Sequence, residues 1–160
     1  MTTPPHDRAV LDTSSVIRLG EVDPRRLAAE SVITTVTLAE LSVGPLVAAT
    51  ASERAARQRH LQQAETDFGE PLPFDAEAAR AFGPIAASLR AAGQKPRARA
   101  FDAMIAAIAV SQALPIYTFN PKDFAGKKPS DIDALAKEKG LVPKGPDPQN
   151  GRGAYVDPDT

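Results

Sequence analysis

The chain contains no cysteine and no tryptophan, and only two of its 160 residues are histidines. Without cysteine it can form neither a disulfide framework nor a thiolate site for zinc or an iron–sulfur cluster. The two histidines, His6 and His60, are too few for a multi-histidine metal centre. Any metal must therefore be held by oxygen atoms, which favour a hard cation such as Mg²⁺ or Mn²⁺.

Long apolar segments are missing as well. The longest apolar stretch, Met104–Val110, is too short to cross a bilayer and lies in the middle of the chain. The first residues, MTTPPHD, lack the basic and then apolar layout of a signal peptide. We therefore expect a cytoplasmic protein with no membrane partner.

The charge is nearly balanced, with a formal net charge of −1. No bulk basic excess forces nucleic-acid binding, although a local basic patch stays possible. Aromatic residues make up only 5% of the chain, so we expect no platform for stacking bases. Recognition of any nucleic acid would then depend on its phosphates and its shape.

Apolar strand-like segments and helix-like segments alternate along the chain. The predicted strands are 9–11, 31–35 and 115–119, with a short edge strand at 71–74. The predicted helices are 36–49, 51–68, 75–92 and 100–113. Such alternation implies β-α-β crossovers and a mostly parallel sheet, which is an α/β fold.

The composition changes towards the end of the chain. Lysine replaces arginine as the main basic residue after Pro121, and proline and glycine concentrate after Gly140. We predict a folded domain over residues 8–126 and an atypical, partly disordered segment over residues 127–160. Within that segment, residues 141–143 are the one weak candidate for a strand.

Four acidic residues stand beside apolar segments. Asp12 and Asp123 each follow a predicted strand, Glu40 lies in a helix, and Asp102 begins the most apolar helix. Parallel strands end at one edge of a sheet, so these acids can meet there. Neighbouring carboxylates repel one another, and divalent cations relieve that repulsion. A site of this kind can activate water and stabilise charge on a phosphate during phosphodiester hydrolysis.

Each acid also has an ordinary structural explanation. Asp12 can cap a helix, and Asp123 can form a turn. Glu40 can close a T-x-x-E capping box that begins at Thr37. Asp102 can interact with the helix dipole. The four acids together, with their apolar neighbours, favour a site more than any one of them does.

Four segments of the sequence resemble the PIN-domain family, and more narrowly its VapC-type toxin ribonucleases of type II toxin–antitoxin pairs. The matching segments are VLDTSSVI at 10–17, TLAEL at 37–41, FDAMIAA at 101–107 and TFNPKDF at 118–124. They occur in the order and at the spacing typical of the family. The resemblance implies an α/β/α sandwich around a central, mostly parallel sheet.

The resemblance also implies an activity and a set of residues. The activity is endonucleolytic hydrolysis of RNA by a metal-activated water, with Mg²⁺ or Mn²⁺ as cofactor. The implied catalytic and metal-binding residues are Asp12, Glu40, Asp102 and Asp123, and the supporting residues are Ser14, Thr118 and Asn120. The implied partners are a cognate antitoxin, an RNA substrate and a second copy of the chain.

Arg97 and Arg99 precede the Asp102 helix, so they are candidates for contacts with RNA phosphates. The family's usual short final strand is not evident after Phe124.

Three other functions stay open. An aspartyl-phosphate phosphatase needs a second acid two residues after its nucleophile, and Ser14 occupies that place. A non-catalytic PIN-like module can use the acidic cluster to bind a basic partner. A PIN-like nuclease can also act on DNA or in ribosome maturation. Metal binding and substitutions that remove activity distinguish a nuclease from a binding module.

Overall fold

A three-stranded parallel sheet forms the centre of the protein. The structure, a computed structural model, describes residues 6–93 and 99–119, and the backbone of two later strands. The central strands are β1 (Arg8–Leu11), β2 (Glu30–Val32) and β3 (Ile116–Tyr117), in the order β2-β1-β3. All pairs are parallel, so the strands end at one edge, as the sequence predicts.

Five α-helices occupy the described residues. They are α1 (Thr13–Ile17), α2 (Thr35–Val43), α3 (Ala51–Asp67), α4 (Ala76–Ala91) and α5 (Ala100–Ser111). Asp12, Thr50 and Asp75 cap α1, α3 and α4 by accepting a hydrogen bond from the first helical turn. Within the part of the chain that the structure describes, no helix is both long and apolar enough to cross a bilayer.

Helices cover both faces of the sheet. Because side chains alternate along a strand, Val10 of β1 points to one face while Ala9 and Leu11 point to the other. Val10 packs in a core with residues of α4 and α5, whereas Leu11 packs with Val16 of α1 and Ala64 of α3. The architecture is therefore the expected α/β/α sandwich. It fixes β1 from both sides and places Asp12, the next residue, at the edge of the sheet.

The beginning of α2 differs from the sequence prediction. The N-cap is Thr34, whose hydroxyl accepts a hydrogen bond from the amide of Thr37 at 3.1 Å. Thr34 is the residue with extended backbone before the helix, and this decides which threonine acts as the cap. The predicted capping box of Thr37 and Glu40 is therefore wrong. Glu40 lies in the second turn of α2, too far along the helix to bond the backbone amide of the N-cap residue.

The predicted edge strand at 71–74 is reduced to one parallel bridge between Thr34 and Leu72. The amide of Leu72 donates to the carbonyl of Ile33, and the amide of Thr35 donates to the carbonyl of Leu72. Prolines at 71 and 73 have no amide proton, so the ladder cannot extend further.

Two strands lie in the segment where the sequence predicts disorder. β4 (Val142–Pro146) and β5 (Gly153–Val156) pair in antiparallel fashion, with a register shift between Pro143 and Gly145. β4 overlaps the weak strand candidate at 141–143. The high proline and glycine content hid β5 and the rest of β4, since both residues are tolerated in edge strands and at bulges. The predicted domain boundary at residues 126 and 127 falls outside the described residues and stays a prediction.

Candidate active site

Asp12 is the centre of the site. It directly follows β1, and only 3% of it is exposed. Its Oδ1 accepts hydrogen bonds from the amide of Ser15 and the hydroxyl of Ser14, both at 2.9 Å. Its Oδ2 accepts a hydrogen bond of 2.5 Å from the hydroxyl of Thr118. Burial raises the pKa of Asp12, and the bonds from Thr118, Ser15 and Ser14 oppose that shift because they stabilise the ionised form.

The sheet fixes the position of this carboxylate. The amide of Asp12 donates to the carbonyl of Tyr117 in β3 at 3.2 Å. The hydroxyl of Ser15 donates to the same carbonyl at 2.8 Å. The first turn of α1 is thus tied to the end of β3. Asp12 caps α1, which is the ordinary structural role that the sequence allows for it. Capping alone does not explain its burial or its hydrogen bond from Thr118.

Glu40 reaches towards Asp12 from α2. Its Oε1 accepts a hydrogen bond of 2.7 Å from the hydroxyl of Thr13. Burial raises the pKa of Glu40, the bond from Thr13 lowers it, and the negative charge of Asp12 raises it further. The two acids are therefore close enough to repel each other. The predicted grouping of these two acids as catalytic and metal-binding residues stays a prediction.

Asp102 lies in the first turn of α5, with 27% of its side chain exposed. A guanidinium nitrogen of Arg99 lies 3.8 Å from its Oδ2 and forms an ion pair. Across residues 6–93 and 99–119, no three acidic or histidine side chains gather into a group that can hold a metal. Among these residues the charge of Asp12 acts on Glu40, but Asp102 forms no such group with them. The role of Asp102 stays a prediction.

The remaining predicted residues divide into two sets. Ser14 and Thr118 both donate to Asp12, which is the placement expected of supporting residues. Asp123, Asn120 and Arg97 lie outside the described residues.

Sequence reasoning missed Thr13. Of residues 13–15, it selected only Ser14. The contact that makes Thr13 notable joins it to Glu40, 27 positions further along the chain. No local pattern signals a contact of this length, because it depends on how α1 and α2 pack.

The chemistry of Asp12 and Glu40 fits a hard divalent cation. Both donors are carboxylate oxygens, and burial raises the pKa of each carboxyl group. Mg²⁺ commonly takes only one or two carboxylates and completes its shell with water and phosphate oxygens. A cation at this pair would offset both the repulsion between the acids and their loss of hydration.

Replacing Asp12 by asparagine is expected to stabilise the metal-free protein at neutral pH. Because the pKa of Asp12 is raised by folding, the folded state binds its proton more tightly than the unfolded state does. The ionised group therefore destabilises the fold at neutral pH, and stability returns as the pH falls through the raised pKa. Asparagine keeps an acceptor for Ser14 and Ser15 without the charge. We expect the Tm to rise by a few degrees at pH 7.5 and the gain to shrink at pH 4.5, as measured by calorimetry in chelator.

Asp75→Asn is the matched control. Asp75 is also an N-cap aspartate, bonded to the amide of Ala78 at 3.0 Å, but it is exposed. We expect its substitution to leave the Tm nearly unchanged. A lower Tm in Asp12→Asn than in the wild type at pH 7.5 would contradict the interpretation that the buried charge of Asp12 destabilises the metal-free fold.

Comparison with known proteins identifies the family of this chain. The family profile for the PIN domain matches residues 9–127. Ribonuclease VapC5 of Mycobacterium tuberculosis is 41% identical over 119 residues, which cover 72% of this chain and 84% of that protein.

Solved structures show the same fold. The crystal structure of VapBC-5 from Mycobacterium tuberculosis, a member of the VapBC family of toxin–antitoxin systems, matches with a TM-score of 0.60 and 40% identity. That match covers 69% of this chain and 82% of the other. VapBC2 from Rickettsia felis, bound to a DNA fragment from its promoter, matches with a TM-score of 0.58 over 73% of this chain and 90% of the other. At 20% identity, the second match shows the fold alone.

Proposed function

This chain belongs to the PIN-domain family, and within it to the VapC-type proteins, and we propose that it is a metal-dependent endoribonuclease acting as the toxin of a toxin–antitoxin pair. The observation that carries the proposal is the buried Asp12, whose charge acts on Glu40 at the carboxyl edge of the sheet. The likeness to Ribonuclease VapC5 supports RNA as the substrate.

Asp12 and Glu40 would hold Mg²⁺ or Mn²⁺, and we propose Asp102 and Asp123 as further members of the site. A divalent cation held there would supply a more acidic water and positive charge near the phosphate. Ser14 and Thr118 hold the two oxygens of Asp12 in a fixed orientation.

Glu40 can also act on the proton of the attacking water. Thr13 donates to its Oε1, and a carboxylate oxygen can accept more than one hydrogen bond, so both oxygens stay open to the cation and to a water. Burial and the charge of Asp12 raise the pKa of Glu40 in the metal-free protein. The proton would move from the water to a carboxylate oxygen of Glu40.

We propose that Arg97 and Arg99, which precede Asp102 in the sequence, contact RNA phosphates. The ion pair between Arg99 and Asp102 is longer than a hydrogen bond, at 3.8 Å. A guanidinium so placed can exchange this partner for a phosphate, with which it forms bidentate hydrogen bonds. Phosphate contacts position a nucleic acid but carry no base identity.

An antitoxin is the proposed protein partner. The related VapBC-5 structure is a toxin–antitoxin system. Val43, Leu46 and Val47 are exposed by 52%, 83% and 65%, and neighbouring apolar groups of this kind are typical of surfaces that bind other proteins. We also propose a homodimer and a cytoplasmic location, where the RNA substrate is found.

Mapping of new 5′ ends in total cellular RNA tests the proposal. The purified protein is incubated with the RNA in Mn²⁺ or Mg²⁺ and in chelator, alongside Asp12→Asn and Asp102→Asn. We expect discrete ends that disappear in chelator and in both variants. Ends lost only in Asp12→Asn would remove Asp102 from the site, and ends that persist in both variants would point to a contaminant.

A protein that neither cleaves RNA nor binds metal would instead be a binding module for a basic partner. Isothermal titration with Mn²⁺ on the same preparation makes this distinction.

A further inference from the structure

Thr13 connects the two elements that carry the acid pair. It is the first residue of α1, directly after Asp12, and its hydroxyl donates to Oε1 of Glu40 in α2 at 2.7 Å. The same hydroxyl lies 3.1 Å from the hydroxyl of Thr37, which is fully buried in the first turn of α2. One side chain therefore bridges α1 and α2 at the site.

The direction of this hydrogen-bond chain follows from the number of protons. A threonine hydroxyl has one proton to donate and can accept from other donors. Thr13 gives its proton to the carboxylate of Glu40, so the bond between the two hydroxyls must be donated by Thr37. The chain runs from Thr37 to Thr13 to Glu40. Each bond polarises the next, which strengthens the donor that faces the carboxylate.

Thr37 is itself fixed in place. Its amide donates to the hydroxyl of Thr34 at 3.1 Å, within the cap of α2. The hydrogen-bond chain therefore starts from a rigid, fully buried point. Glu40 is only half-buried and carries a long side chain, so repulsion from Asp12 would otherwise turn it towards solvent.

We propose that Thr13 is a positioning residue that holds the carboxylate of Glu40 beside Asp12 and so prepares the pair for a divalent cation. The inference rests on the proposed function of the pair as a metal site. Thr13 would contact neither the metal nor the RNA and would act through Glu40. Partners of metal ligands commonly contribute 10- to 100-fold in metal affinity or activity.

Titration of the metal-free, full-length protein with Mn²⁺ tests the proposal. The variants are Thr13→Val and Thr13→Ala, which lack the hydroxyl, and Thr13→Ser, which keeps it. We expect Val and Ala to weaken Mn²⁺ binding about 10-fold and Ser to restore most of the affinity. Because both Thr13→Val and Thr13→Ala lack the hydroxyl, either variant alone is sufficient for the test if the other folds poorly.

Thr66→Val is the matched control. Thr66 is exposed on α3, and its hydroxyl donates to the backbone carbonyl of Gln62 at 2.8 Å. We expect its Mn²⁺ affinity to equal that of the wild type. Cleavage of RNA gives a second readout, in which Thr13→Val should need about 10-fold more Mn²⁺ for its half-maximal rate and change KM for RNA little.

Two results would overturn the proposal. One is wild-type Mn²⁺ affinity in a folded Thr13→Val or Thr13→Ala. The other is an equal loss in Thr13→Ser, because the hydroxyl would then not be the group responsible. If the wild-type protein neither binds Mn²⁺ nor cleaves RNA, the proposed function itself is wrong. This result is distinct from those that would contradict only the role of Thr13.

Discussion

Replacing Glu40 by glutamine is expected to slow RNA cleavage by at least about 100-fold while leaving the protein folded. Glutamine has the same shape and can still accept the hydrogen bond from Thr13. It lacks the charge that attracts a cation and the basicity that accepts a proton from water. Single-turnover rates at saturating Mn²⁺ measure the effect, and circular dichroism confirms the fold.

Glu65→Gln is the control for this substitution, because Glu65 lies exposed on α3. Its cleavage rate should match that of the wild type. A rate in Glu40→Gln within about threefold of the wild type would remove Glu40 from the reaction. A loss of helix content in Glu40→Gln would instead indicate a structural role for Glu40. We do not expect this loss, because Thr34 caps α2 without any contribution from Glu40.

Mn²⁺ is expected to raise the Tm of the metal-free protein by several degrees. A ligand that binds only the folded state stabilises it by RT ln(1 + [L]/Kd), which is about 2.7 kcal/mol at 100 times Kd. For a chain of this size, that corresponds to a shift of roughly 5–10 °C. The cation offsets the repulsion between Asp12 and Glu40, which is the physical source of the gain. Melting curves across a series of MnCl₂ concentrations measure it.

Asp12→Asn should lose most of this shift, whereas Glu65→Gln should keep it. Since Asp12→Asn is also expected to melt higher than the wild type in chelator, the two curves should converge as Mn²⁺ is added. A wild-type Tm that does not respond to millimolar Mn²⁺, or an equal response in Asp12→Asn, would contradict a metal site at this pair.

Local patterns were sufficient to predict the centre of the fold. A short apolar run that ends in an acid predicts β1 and Asp12, and both are where the sequence places them. Alternation of strands and helices predicts the parallel sheet, because parallel strands need helical crossovers. Asp75 predicts the start of α4 through its capping bond to Ala78. Each of these signals lies within a few neighbouring residues.

The errors concern choices that local sequence leaves open. Thr34 and Thr37 are equally good caps by residue type, and the extended backbone after β2 decides between them. The bond from Thr13 to Glu40, which was missed, joins residues 27 positions apart. The bond from Thr118 to Asp12 joins residues 106 positions apart, and Thr118 was selected only through the family resemblance. Only tertiary packing determines such pairs.

Asp102 illustrates the same difficulty for the candidate site. Its position in the first turn of α5 follows from the sequence, but the direction of its side chain does not. In the structure its ion pair is with Arg99, which the sequence assigned to RNA. Its place among the catalytic acids therefore depends on the cleavage assay with Asp102→Asn.

The chemistry of the RNA ends tests most directly whether the acid pair supports hydrolysis by water. An oligonucleotide that spans a mapped cleavage site is prepared with and without the 2′-hydroxyl at the scissile nucleotide. Attack by water does not use that hydroxyl, so both substrates should be cut in Mn²⁺, without a 2′,3′-cyclic phosphate, and neither should be cut by Glu40→Gln. A 2′,3′-cyclic phosphate that forms in chelator, or cleavage that needs the 2′-hydroxyl and survives in Glu40→Gln, would contradict a metal-dependent hydrolase at Asp12 and Glu40.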